Sequence, residues 1–363
     1  MKQNRIAILG AVGVPGSYGG FETLANNLVD YHGASALGTD LAVYCSSKAF
    51  PAKPQTYGSA RLRYVNLDAN GPQSIPYDVL SLFDAVRRGD THLLLLGVSG
   101  ALALPIVRLV SRARIVTNID GIEWKREKWN GLAKAFLRAS EWAAVRFSHA
   151  VIADNQAIAD HVNRTYRRSC EVISYGGDHA LVAQPDPSAV ADLPSSYALA
   201  LCRIEPENNV AMILEAFSAL NTPLVFVGNW GKSDYSRDLK WRYKDHPTIT
   251  IHDPVYEPRS LRAIRDRASI YVHGHSAGGT NPSLVEMMQF GIPVLAHGCA
   301  FNRYTTEDRA LYFETPQELA ILVRGLSPDK SAEIGSDMQE IASRRYNWIE
   351  IGKCYFDIID LKN

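Results

Sequence analysis

The sequence predicts an α/β protein made of two doubly wound domains. Apolar β-type runs alternate with helical patterns along nearly all of the 363 residues, a length that allows two separate cores. The alternation breaks once, in a stretch from Asp178 to Tyr197 that is rich in Pro, Asp and Ser and has no periodicity. Strands resume on the far side of that stretch. Such βα alternation implies parallel sheets covered on both faces, with ligands at the carboxyl ends of the strands.

In the first half, strands are expected at Arg5–Leu9, Leu41–Cys45, Leu62–Val65, His92–Leu96, Arg114–Asn118, Ala150–Ala153 and Glu171–Ile173. Each is a short run bounded by turn or polar residues, as a strand buried on both faces should be. Helical patterns fall between them at Phe21–Tyr31, Ile75–Arg87 and Asn130–Phe147. In the second half, strands are expected at Tyr197–Cys202, Leu224–Val227, Thr248–Ile251, Ile270–Val272 and Pro293–Ala296.

Composition narrows the function. A formal net charge of zero argues against a general polyanion binder, so no nucleic-acid partner is expected. Cys45, Cys170, Cys202, Cys299 and Cys354 have no paired spacing and read as reduced, mostly buried thiols. MKQNRIAILG runs straight into a strand without a signal-peptide core, which predicts a cytoplasmic protein. The longest apolar candidate, Leu93 to Val110, is broken by Gly97, Ser99, Gly100, Pro105 and Arg108 and falls short of a membrane span.

The most informative segment runs from Ala268 to Ala296, ASIYVHGHSAGGTNPSLVEMMQFGIPVLA. A strand enters a loop carrying Gly278 and Gly279. Thr280 and Asn281 then precede Pro282, which suits the first helical position and makes Asn281 a plausible N-cap. The helix is expected to end near Gly291. A strand, a small-residue loop and a helix start together form an anion site. Glu286, one turn into the helix, can accept two hydrogen bonds from a ribose diol while the helix start holds a diphosphate. An ordinary βα crossover would explain the glycines alone, but not their coincidence with the cap and the placed carboxylate.

A second glycine-rich loop, GAVGVPGSYGGFETLANNL, follows the first strand. Gly19 and Gly20 let backbone approach a ligand, and Glu22 falls in the first helical turn. The spacing is neither a dinucleotide fingerprint nor a Walker A motif. A third site lies at NIDGIEWKREKWN, where Asp120 directly follows a strand and Glu123 is close behind. Asp120 reads either as a group acting near a reacting centre or as a helix cap. Trp124, Lys125, Arg126, Lys128 and Trp129, followed by Lys134, Arg138, Trp142 and Arg146, interleave basic and aromatic residues. That pattern fits either an anionic membrane surface or a solvated helix face over core tryptophans. His273 and His275 have no accompanying ligand set, so no metal site is expected.

HGHSAGGTNPSLVE and VPGSYGGFET together resemble retaining glycosyltransferases of the GT-B fold, of the family 4 type, and within them a bacterial rhamnosyltransferase-type subgroup. The resemblance implies two Rossmann-like domains facing a central cleft. Residues 1–178 would form the acceptor-side domain and residues 179–344 the donor domain, with the final helix (345–363) returning to the first. It implies no cofactor. The substrate would be a nucleotide diphosphate sugar, with dTDP-rhamnose favoured, and the acceptor a polysaccharide or polyprenyl-linked glycan. Reaction would be metal-independent, and the protein cytoplasmic or peripheral on the inner face of the cytoplasmic membrane, where an anionic surface would be a further partner.

By the same resemblance, Gly19, Gly20, Gly279, Thr280, Asn281, Ser283, Leu284 and Glu286 would bind the donor. Tyr18, Glu22 and Glu123 would lie on the acceptor side, and Asp120, where relatives commonly carry histidine, would be catalytic. Two departures stand out. The family pairs two glutamates with seven residues between them, and the first falls on Gly278. The family also follows an arginine, here Arg203, with a lysine five residues later, and that position is Asn208. Lys232 is the candidate to replace the lysine. The region Asp253 to Tyr256 corresponds to where relatives pack the nucleobase. The departures keep two rivals open: a GT-B sugar-nucleotide 2-epimerase and a non-catalytic glycan-binding subunit.

Overall fold

The computed structural model describes residues 4–16, 19–119, 121–125 and 130–360. The chain is α/β and divides into two compact units, 1–174 with 348–363, and 175–347.

The first unit holds an eight-stranded sheet in the order β3-β4-β2-β1-β5-β6-β7-β8. Its strands are β1 (Arg5–Leu9), β2 (Asp40–Ser46), β3 (Thr56–Tyr57), β4 (Ala60–Val65), β5 (His92–Leu96), β6 (Arg114–Ile119), β7 (Ala150–Ala153) and β8 (Glu171–Val172). Helices α1 (Gly20–Ala34), α2 (Ser74–Arg87), α3 (Leu104–Val110), α4 (Gly131–Phe147) and α5 (Gln156–Tyr166) connect them. All pairings are parallel except β3 with β4. β3 is absent from the sequence reading because it is two residues long and amphiphilic. It is the first arm of a tight hairpin turned at Gly58, where φ is +52°.

The second unit holds a six-stranded, all-parallel sheet in the order β11-β10-β9-β12-β13-β14. Its strands are β9 (Tyr197–Leu201), β10 (Leu224–Val227), β11 (Ile249–His252), β12 (Ala268–His273), β13 (Val294–His297) and β14 (Leu311–Phe313). The helices are α6 (Val210–Ser218), α7 (Asp234–Tyr243), α8 (Pro258–Asp266), α9 (Pro282–Met288), α10 (Ala300–Thr305), α11 (Pro316–Gly325) and α12 (Pro328–Arg345). The core between sheet and helices includes Ala198, Ala200, Ile213, Phe217, Phe226, Trp230 and Phe313. β14, a three-residue edge strand, escaped the sequence reading for the same reason as β3.

Helix α13 (Trp348–Asp360) belongs to the first unit. Gly352 lies against Tyr31, where a Cβ would come within 2.4 Å of the ring, and Phe356 stacks on Tyr31 at 5.8 Å. Asn118 Nδ2 donates to Tyr355 Oη at 2.5 Å, fixing the helix to β6. The units change over at residues 174/175 and 347/348, not at 178/179 and 344/345. Both segments are held by the second unit: Gly177 N–H donates to the Tyr346 carbonyl at 2.8 Å, and Gln289 Nε2 donates to the same oxygen at 3.1 Å.

Candidate functional site

Strand order in the second unit reverses between β9 and β12. The carboxyl ends of two such strands open the crevice where doubly wound sheets hold ligands. β9 leads to Arg203 at that point, and β12 leads into the loop 274–281.

The loop is tied on both flanks. Ser276 donates to the Glu207 carbonyl through its amide at 3.0 Å and its hydroxyl at 2.9 Å. Asn209 Nδ2 donates to the Gly274 carbonyl at 2.8 Å, and Asn302 Nδ2 to that of His275 at 2.9 Å. Gly274 has no room for a side chain, since a Cβ would lie 2.2 Å from the Asn208 carbonyl oxygen.

Asn281 caps α9, and Pro282 occupies its first turn. Its Oδ1 accepts from the Ser283 amide at 3.2 Å and from the Ser283 hydroxyl at 2.9 Å. Tyr271 in turn donates to Ser283 Oγ at 3.0 Å and lies 3.2 Å from His273 Nδ1. A buried chain of hydrogen bonds thus fixes the cap from β12. Burial, with the nearby His275 and His297, holds the His273 pKa well below its ordinary value, so the ring is neutral.

This arrangement corrects which groups could hold an anion. The Ser283 amide is taken by the cap, and the Leu284 amide by the Asn281 carbonyl at 3.1 Å. The available donors lie earlier: the amides of Gly278 and Gly279 donate to no described residue. Gly278 has φ +125°, a conformation that favours glycine, whereas the space beyond its Cα is open. Thr280 is buried at the end of the loop. The helix itself stops at Met288 and only a tightened turn, Phe290 N–H to Met287 O, carries the chain on to Gly291.

Glu286 is 12% exposed and held from two directions. Arg265 of α8 donates to Oε2, and His179 Nε2 lies 3.3 Å from Oε1. Burial alone would raise the carboxyl pKa, but Arg265 and His179 outweigh it and hold it below the ordinary range. Glu286 is therefore an ionised, pre-oriented acceptor. Sequence reasoning missed both of its partners. The only trace of His179 is the preceding Gly177, where a Cβ would lie 2.3 Å from the Val285 carbonyl oxygen, so only glycine lets that segment pack there.

Arg203 is half-buried, and its guanidinium has no hydrogen bond or ion pair among the described residues. Asn208 is buried and donates from Nδ2 to the Arg203 carbonyl at 2.7 Å, so it holds the turn that carries the arginine. Lys232 pairs with Glu205 at 3.6 Å. That exposed contact is weak and leaves the lysine able to turn elsewhere.

In the first unit the strand order reverses between β1 and β5, and the loop 10–19 leaves β1 there. Its glycines serve packing within the unit. A Cβ on Gly10 would meet the Leu96 carbonyl oxygen at 2.0 Å, and one on Gly19 would meet Glu22 Oε2 at 1.9 Å. Glu22 Oε1 accepts from the Val12 amide at 2.8 Å, so this carboxyl braces the loop. Burial raises its pKa against that hydrogen bond. Gly20 begins α1.

Tyr18 and Asp120 lie outside the described residues, as do Arg126, Lys128 and Trp129. Glu123 opens a 3-10 turn, Glu123–Lys125, beyond β6. In that turn Trp124 Nε1 donates to Glu141 Oε2 at 3.1 Å. Glu141 is buried, also accepts from Tyr166 Oη at 2.7 Å, and lies 2.8 Å from His161 Nε2. The indole N–H of Trp124 is thus tied inward, while its half-buried ring lies under Lys125 at 5.6 Å and Arg138 at 5.5 Å. Of the cysteines, only Cys45 is buried outright, and Cys354 is exposed. No group of three or more His, Cys, Asp or Glu among the described residues could hold a metal. No helix among them is long and apolar enough to cross a membrane.

Residues 3–178 match a family described as a domain of unknown function, DUF1972. No curated protein matches the chain by sequence. Solved structures resemble it over nearly its whole length. Sucrose-phosphate synthase from Thermosynechococcus elongatus has a TM-score of 0.80 at 16% identity, covering 98% of both chains. HepE of Anabaena, solved with UDP-glucose, has 0.72 at 18%, covering 98% of both. Trehalose-6-phosphate synthase from E. coli, solved with UDP-2-fluoro glucose, has 0.72 at 10%, covering 99% of this chain and all of that one. Two parallel-sheet α/β units with these neighbours identify the architecture: the chain has the GT-B glycosyltransferase fold.

Proposed function

We propose that the chain is a retaining, metal-independent glycosyltransferase of the family 4 type. It moves a sugar from a nucleotide diphosphate to a polysaccharide or polyprenyl-linked acceptor in bacterial surface glycan synthesis. The observation that carries this reading is the loop at the β9/β12 reversal: available amides at Gly278 and Gly279 stand in the loop before α9, which carries an ionised, pre-oriented Glu286 one turn in. Those amides and Arg203 take the diphosphate, and Glu286 takes the ribose diol. Lys232 adds a further cation after turning from Glu205.

Gly19, Gly20, Tyr18, Glu22 and Glu123 are assigned by resemblance, the two glycines to the donor and the others to the acceptor. Asp120 orients the acceptor hydroxyl or stabilises charge at the anomeric carbon. The bond from anomeric carbon to phosphate oxygen breaks while the acceptor oxygen bonds to that carbon on the same face. The acceptor proton passes to the departing phosphate. No protein nucleophile is needed. Metal independence rests on the sequence, which has no Asp-x-Asp motif.

The rhamnosyltransferase-type motifs favour dTDP-rhamnose as donor. UDP-glucose, bound by HepE, shares the pyrimidine diphosphate and is the alternative. A cytoplasmic protein peripheral on the inner membrane face would meet a lipid-linked acceptor. Incubation with a panel of nucleotide sugars and acceptors tests the reading. Release of nucleoside diphosphate with a new glycan supports it. An isomerised donor would instead support a 2-epimerase, and glycan binding without turnover a binding subunit.

A further inference from the structure

The outer side of α3 is apolar. Leu102, in the 3-10 turn leading into the helix, and Ile106, Leu109 and Val110 recur at helical spacing and are 42%, 53%, 86% and 59% exposed. Leu104 and Val107 face the core instead. Large apolar residues gathered on one exposed stripe form a patch, in contrast to singly scattered surface leucines. α4 runs beside α3 and exposes Leu132, Ala135, Ala139, Trp142 and Arg146, again at helical spacing. The two stripes are continuous. Trp142 meets Phe147 edge-on at 5.6 Å, Arg146 lies over the Phe147 ring at 5.9 Å, and Arg146 and Phe147 line a groove with Pro105, Arg108 and Leu109. That groove has a volume of about 600 Å³.

Charge on this face has one sign. Residues 101–119 contain no Asp or Glu, and residues 130–149 contain only Glu141, which is buried and turned onto Trp124 and Tyr166. Arg108, Arg112, Lys134, Arg138 and Arg146 have no acidic partner among the described residues. Arg168, which also lines the groove, donates to the carbonyls of Ser148 at 2.7 Å and His149 at 3.2 Å. Burial, followed by the charges of Arg146 and Arg108, lowers its pKa, as a local positive field should. A second copy of the chain would set these arginines against each other. A bilayer with anionic headgroups matches both the apolar stripe and its basic rim.

We propose that the α3–α4 face docks on the surface of a bilayer containing anionic phospholipid. Ile106, Leu109 and Val110 enter the headgroup–acyl boundary, and Arg108, Arg112 and Arg146 meet lipid phosphates. The proposal extends the basic, aromatic segment read from sequence, Trp124 to Arg146, onto α3 and does not depend on transferase activity.

The test is sedimentation of the full chain with vesicles of phosphatidylcholine alone or mixed with phosphatidylglycerol, at low and high salt. Binding to the mixed vesicles only, weakened by salt, is expected. Leu109→Asp with Val110→Asp, and separately Arg108→Gln with Arg146→Gln, should each reduce it by about tenfold or more. Trp241→Asp, which changes an exposed residue of the other unit, should leave it unchanged. Circular dichroism confirms folding, and the glutamine pair retains the test if the aspartate pair unfolds. Equal sedimentation with both vesicles, no sedimentation, or binding indifferent to the α3 and α4 variants would overturn the proposal. So would a concentration-dependent dimer abolished by the aspartate pair without vesicle binding.

Discussion

Arg265 of α8 and Glu286 of α9 form an ion pair in which the side chains are only 6% and 12% exposed. The helices lie immediately before and after β12, so the pair ties the helix that enters that strand to the helix that leaves it. Arg265 Nε is buried and has no hydrogen-bond partner among the described residues. Truncating Glu286 to alanine would therefore strand a buried cation, at a cost of about 3–5 kcal/mol. Glu286→Gln, which keeps a hydrogen-bond acceptor facing Arg265, is the better probe of ligand binding.

Restoring the family's first glutamate should not help. Gly278→Glu places a side chain at φ +125°, and strain there is expected to cost about 1–3 kcal/mol. Denaturant unfolding should show that loss, and donor affinity should not rise. A stable variant with tighter donor binding would mean that the loop adopts another backbone conformation when occupied.

Asp78 predicts a pH effect unrelated to the donor loop. Burial raises its carboxyl pKa to about 8, against a hydrogen bond from the Gly100 amide. The folded state therefore holds a proton that the unfolded chain gives up near the ordinary carboxylate range. The associated stability is present below that range and is lost as pH rises toward 8. Asp78→Asn should gain in melting temperature over wild type as pH rises from 4 to 8, with little further gain above. A difference that does not vary with pH would contradict this.

The local parts of this site were legible in the sequence, and the tertiary parts were not. Asn281 before Pro282 signals a cap because capping chemistry spans only a few residues, and β12 and α9 follow from apolar runs and their punctuation. Arg265 and His179 were invisible, since their pairing with Glu286 depends on how α8 and the 3-10 turn after Gly177 come together. Asn208 looked like a missing lysine, and only the structure shows it pinning the Arg203 carbonyl. The glycines of the N-terminal loop were legible as close approaches, but Gly10 and Gly19 approach Leu96 and Glu22. β3 and β14 were lost because two or three residues carry no period.

Asp120 directly follows β6 in the sequence, and its assignment rests on the sequence alone. Asp120→Asn should leave donor affinity nearly intact and lower turnover by about 100-fold or more, because charge at the anomeric centre develops only as the bond breaks. Initial rates and donor titration on the folded variant decide it. Turnover near that of wild type would reduce Asp120 to a helix cap.

The most direct test of the donor site is calorimetric titration of dTDP, UDP and GDP into the wild-type chain and into Glu286→Gln. A pyrimidine diphosphate should bind the wild type more tightly than GDP. The variant should remain folded and bind about 10- to 100-fold more weakly, the loss expected when charged hydrogen bonds to the ribose are removed. Absence of binding by any of the three, or an affinity unchanged in Glu286→Gln, would contradict the assignment of the β12–α9 loop and Glu286 to a nucleotide sugar.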